Sequence, residues 1–108
     1  MERVYNKLVR DNIPNIIKDK GETPITRILE YNEYKSELEK KLYEEYQEVL
    51  EASGESRVEE LADMLEIIRA LAKLEGKTLQ DIIDVADNKN IKRGAFKEKI
   101  FLEKVIEK

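Results

Sequence analysis

The chain contains neither histidine nor cysteine, and each absence removes a class of chemistry. Without histidine there is no imidazole base, no Ser–His or Cys–His nucleophile pair and no histidine-bearing zinc site. Without cysteine there is no disulfide framework and no thiolate catalysis. Any bound metal must then be held by oxygen, which selects Mg²⁺, Mn²⁺ or Ca²⁺. A di-iron carboxylate bundle is disfavoured as well, since it takes Glu-x-x-His from two helices.

Long apolar runs are also missing. No stretch approaches 18 apolar residues, so no membrane span is expected. The first residues include Glu2 and Arg3 and lack the apolar core of a signal peptide, which points to the cytoplasm. Aromatic residues make up only 6%, against 41% hydrophobic and 41% charged, a balance that suits a mainly helical protein. A net charge of −4 argues against nucleic acid as a partner. It leaves room for an anionic small molecule bound through a metal and a local basic patch. At 108 residues a single domain, 1–108, is expected, with a modest core that favours a homo-oligomer.

Taken in order, Val4 to Val9 is a short, partly apolar candidate strand. Asp11 or Asn12 can cap a short helix with Pro14 in its first turn and a stop at Gly21. Residues 25–29 carry β-branched side chains in alternation and predict a second strand. Asn32 is a candidate N-cap for a long helix that Gly54 breaks. Ser56 with Glu59 forms a capping-box pattern for the next helix, which runs to about Glu75 and ends at Gly76. Thr78 with Asp81 repeats that pattern and starts a further helix reaching about Lys92, stopped by Gly94. The tail KIFLEKVI predicts a strand paired with 25–29. The fold expected is therefore mainly α: a helical hairpin, a third long helix and a small β-sheet from the terminal segments. Two apolar sides on a helix such as 57–75 suggest hairpins that pair into a four-helix bundle, as a dimer or a dimer of dimers.

Within the hairpin, Glu45 and Glu48 lie three residues apart on the first helix, and Glu60 and Asp63 on the second. An i, i+3 pair shares one helix face, and a short connection makes the helices antiparallel neighbours. Helical phase separates these acids from the rest. Glu45 falls within roughly 20–40° of the middle of the stripe formed by Leu38, Leu42, Val49 and Ala52, with Glu48 at its edge. Glu60 and Asp63 share a side with Met64, Ile67, Leu71 and Leu74. Glu44, Glu59 and Glu66 fall on wetted faces. Carboxylates turned inward must be paired, protonated or bound to metal. Lysine partners or a dimer seam would serve as well as a cation.

The third long helix ends with Lys89, Lys92 and Arg93 at one turn's spacing. Cations there complement the macrodipole of any helix. They would also make a phosphate-binding face, with Arg93 as a fork and Lys89 as a point charge.

These segments carry a resemblance. Glu44-Glu45-Tyr46-Gln47-Glu48 followed by Glu60-Leu61-Ala62-Asp63 resembles the EExxE…ExxD signature of the MazG-like, all-α nucleoside triphosphate pyrophosphohydrolases. The opening Tyr5-Asn6-Lys7-Leu8-Val9-Arg10-Asp11 with Ile13-Pro14 is similar to the start of the phosphoribosyl-ATP pyrophosphohydrolase-like subgroup. Lys89…Lys92-Arg93-Gly94-Ala95-Phe96 is similar to that subgroup's K…RGGF stretch. Two departures stand out: Glu48 and Glu60 are close in sequence for the family, and Ala95 replaces the second glycine.

The resemblance implies Mg²⁺-dependent cleavage between the α- and β-phosphates of a nucleotide, giving a monophosphate and pyrophosphate. Mn²⁺ would substitute. Glu45, Glu48, Glu60 and Asp63 match the family's metal ligands. Lys89, Lys92 and Arg93 then become candidates for holding the phosphates, with Lys7 and Arg10 as further ones. A contrasting expectation is a catalytically silent helical dimer that binds or regulates a partner.

Overall fold

The computed structural model describes residues 1–108 and contains four helices and no strand. They are α1 (Ile13–Asp19), α2 (Tyr31–Glu51), α3 (Gly54–Leu74) and α4 (Leu79–Arg93).

Helix α1 starts behind Asn12 with Pro14 in its first turn, where the missing proline N–H costs nothing. Helices α2 and α3 form an antiparallel hairpin joined by Ala52 and Ser53 alone. So short a link needs a residue of positive φ to reverse the chain, and Gly54 supplies it at φ +57°. The seam between the two helices buries Leu38 and Val49 from α2 and Ile67 and Ala72 from α3. These four are the only buried residues, so the core is thin.

Helix α3 closes in a Schellman motif. The Lys77 N–H donates to the Ala72 carbonyl at 2.9 Å and the Gly76 N–H to that of Lys73 at 3.0 Å. Helix α4 opens on the expected capping box. Asp81 N–H donates to Thr78 Oγ1 at 3.1 Å, and Thr78 N–H donates to Asp81 Oδ2 at 2.8 Å. Gly94, at φ +80°, ends it. Helix α4 packs against α3 and touches no other helix.

Three expectations need correction. The small β-sheet is absent: residues 4–9, 25–29 and the tail KIFLEKVI all lack regular structure. Strand propensity reports a fit to a pleated, half-buried surface, and none is offered here. Ile25, Ile28 and Ile100 are 91%, 96% and 85% exposed. Two helix starts also move. Helix α2 begins at Tyr31 behind Glu30 rather than behind Asn32, and α3 begins behind Ser53 rather than Ser56.

The chain is elongated, 68 × 33 × 24 Å, with a radius of gyration of 18.9 Å. A compact chain of this length would have a radius of about 13 Å.

Candidate functional site

Midway along the hairpin, the phase of both helices turns acids toward each other across the seam. Glu45 lies one turn before the buried Val49 on α2, and Asp63 one turn before the buried Ile67 on α3. Glu60 precedes Asp63 on the same face. Glu45, Glu60 and Asp63 each present a carboxylate oxygen, and the three oxygens lie within 4.8 Å of one another. All three residues are half-buried.

Two atoms within the cluster are orphaned. Glu45 Oε2 and Glu60 Oε2 are buried and have no hydrogen-bond partner. Buried carboxylate oxygens normally find donors, because desolvation without a partner costs about 1–3 kcal/mol. Loss of solvent pushes Glu45 up to about 7, helped by the adjoining Glu60 and Glu48 and by the charge of Asp63. Glu60 is raised as well, chiefly because Glu48 lies against it. The cluster is thus short of positive charge, and a hard cation bound by oxygen is what the donor set fits.

Of the four acids expected to turn inward, three form this group. Glu48 is exposed and lies outside the triad, although it stands against both Glu45 and Glu60. Among the acids assigned to wetted faces, Glu59 is exposed. Glu44 and Glu66 are half-buried, and Glu66 accepts from Arg69 at 2.7 Å.

One cation reaches the cluster. Arg10 Nη2 donates to Asp63 Oδ1 at 2.8 Å, so the segment before α1 comes within bonding distance of the acids. Sequence reasoning marked Arg10 only for phosphate and missed its acidic partner. Nothing local to residues 7–11 encodes that contact. Lys7 is exposed and makes no hydrogen bond or ion pair through its side chain.

The remaining candidates lie on α4. Lys89, Lys92 and Arg93 line one depression of about 260 Å³ together with Val85 and Asn88. None of the three has an acidic partner within the chain. They set three positive charges around one concavity at the end of α4, separate from the acid triad by residue set. No helix of the protein is long and apolar enough to cross a membrane. Compared with known proteins, the chain matches no family model, no curated protein and no solved structure.

Proposed function

We propose that the protein is a Mg²⁺-dependent nucleotide pyrophosphohydrolase of the MazG-like kind, acting as a homo-oligomer. Its reaction would cleave the α–β phosphoanhydride of a nucleoside triphosphate or related nucleotide. Water attacks phosphorus, the bridging P–O bond breaks, and a monophosphate and pyrophosphate leave.

The observation that carries this reading is the pair of buried, unpartnered oxygens of Glu45 and Glu60 beside Asp63. Three carboxylates at that spacing repel one another unless a cation or a proton intervenes. Glu45, Glu60 and Asp63 would hold the ion, with Glu48 adjoining. Bound there, Mg²⁺ or Mn²⁺ would neutralise phosphate charge and acidify water. A carboxylate of the cluster would then take the proton, as no imidazole exists to do so.

The phosphates need further positive charge. A triphosphate carries about four negative charges near neutral pH, and one divalent ion offsets only two. Lys89, Lys92 and Arg93 offer a fork and two point charges to the remainder. Arg10, and less directly Lys7, stand as additional donors from the N-terminal segment.

The test is release of pyrophosphate from a panel of nucleotides, with Mg²⁺ or with EDTA. Metal-dependent release from one class of nucleotide supports the reading. No release from any nucleotide, with the fold intact by circular dichroism, would leave the silent helical dimer, for which the exposed apolar surface speaks. In that case Mg²⁺ should not raise Tm.

A further inference from the structure

We infer that the loop following α4 is a nucleobase subsite, with Phe96 as the ring on which the base stacks. This rests on the proposed function, which seats the phosphates of the same nucleotide at the end of α4, and it adds the other half of the ligand.

Arg93 joins two concavities. One is the depression it lines with Lys89 and Lys92. The other, of about 440 Å³, lies beyond the helix and is lined by Arg93 together with Phe96, Lys97, Glu98, Lys99 and neighbouring residues. The backbone makes the second concavity by curling. Gly94 leaves the helix at φ +80°, and the Lys99 N–H then donates back to the Phe96 carbonyl at 3.3 Å. Lys99 itself takes φ +59°, a left-handed conformation that few lysines adopt. The curl sets an aromatic ring and a guanidinium around one hollow.

Charge and exposure select the ligand. Residues 89–99 hold five cations, Lys89, Lys92, Arg93, Lys97 and Lys99, and one acid, Glu98, in a chain whose net charge is −4. None of the five is in an ion pair within the chain. Among them Phe96 stands 97% exposed. It serves no core, and the charges around it oppose burial against an apolar partner. A ligand that satisfies both features is anionic at one end and flat at the other. A nucleotide has that form: its phosphates accept charged hydrogen bonds, and its base stacks on an aromatic face. Arg93 can fork to a phosphate or lie as a planar cation against the base. Every base has a π-face, so the subsite selects for the presence of a base rather than for one base.

The experiment compares two probes on the full chain in Mg²⁺. One is α,β-methylene ATP, which resists cleavage at the bond in question, and the other is inorganic tripolyphosphate, which has no base. Phe96→Ala should raise Kd for the nucleotide analogue roughly 5- to 100-fold by calorimetry, and leave tripolyphosphate binding unchanged. Phe96 lies outside the core, so the fold should survive. Phe96→Trp should restore affinity and supply the only tryptophan of the chain. Its emission should be quenched by the analogue and not by tripolyphosphate. Phe101→Ala is the control, since Phe101 is 87% exposed yet lines neither concavity.

Wild-type affinity for the analogue in Phe96→Ala overturns the inference, and so does an equal loss for both probes or in the control. Tighter binding of a short single-stranded DNA than of the analogue also overturns it, by making the loop a strand-binding surface. Base-dependent binding without pyrophosphate release from any nucleotide would sink the proposed chemistry and leave the subsite standing. Release with an unchanged KM in Phe96→Ala would do the reverse.

Discussion

Arg10 and Asp63, 53 residues apart in the chain, are joined by a 2.8 Å hydrogen bond from Nη2 to Oδ1. Arg10 precedes the first helix, and Asp63, on the third, belongs to the acid triad that spans α2 and α3. The bond is monodentate and both side chains are about half exposed, 59% and 43%. Such pairs contribute little stability, about 0–1 kcal/mol. Any ion that recruits Asp63 competes with Arg10, and a phosphate brought to that ion would offer the guanidinium a second partner.

Removing Arg10 should therefore separate metal binding from nucleotide binding. Arg10→Ala frees Asp63 and deletes a positive charge, so Mn²⁺ should bind roughly two- to fivefold more tightly by calorimetry. KM for the nucleotide should rise. Arg3→Ala, which breaks the pair with Glu22, serves as the control and should change neither. Unaltered metal affinity in Arg10→Ala would show that the contact with Asp63 has no bearing on the site.

The triad predicts a graded series. On the proposed function, Glu45→Gln, Glu60→Gln and Asp63→Asn should each lower kcat by about 100-fold or more, since each would remove charge from the proposed cation site. Glu48→Gln should cost less, because Glu48 is exposed and outside the triad. Glu59→Gln should be silent. If Glu59→Gln proved as damaging as Glu60→Gln in steady-state kinetics, the facing assigned to α3 would be wrong.

The pH dependence has a definite sign. Burial and neighbouring acids push Glu45 from 4.5 up to about 7 in the folded, metal-free chain. The folded state thus binds the proton more tightly than the unfolded one. That contribution is fully present below about 4.5 and is lost as pH rises through about 7. Glu60, also raised, acts in the same direction. In EDTA, Tm should fall between pH 5 and pH 8 by more in the wild type than in Glu45→Gln. Added Mg²⁺ should reverse the difference. A parallel pH profile for both proteins in differential scanning fluorimetry would refute the coupling.

The basic end of α4 can be tested by geometry as well as charge. Arg93→Lys keeps the charge and loses the fork, and should cost about 1–3 kcal/mol of substrate or transition-state binding. Lys89→Ala should weaken binding more at low salt than at moderate salt. The readout is kcat/KM at two ionic strengths. Wild-type values in both variants would reduce these cations to partners of the helix dipole.

Much of this was legible because it is local. The Thr78–Asp81 box specifies both of its hydrogen bonds by spacing alone, and both form. Gly76 and Gly94 mark ends that only a positive φ can make. Helical phase brought Glu45, Glu60 and Asp63 inward for the same reason. Where local signals are degenerate, reading fails. Ser53 and Ser56 both precede helical sequence, and the tight reversal at Gly54 selects the earlier one. Residues 25–29 look like a strand, but a strand exists only with a partner, and pairing is not written in one segment. The same nonlocality hides Arg10, whose acid lies across the molecule.

The link of Ala52 and Ser53 has a kinetic consequence. A reversal that short carries little loop-closure entropy, so the two longest helices can zip together early in folding. Yet zipping is the event that drives Glu45 from one helix against Glu60 and Asp63 from the other. A step that the short link favours is thus also the one that accumulates like charge, so its rate should report divalent ions. Refolding should accelerate with Mg²⁺ at neutral pH, and lose that sensitivity once Glu45 is glutamine.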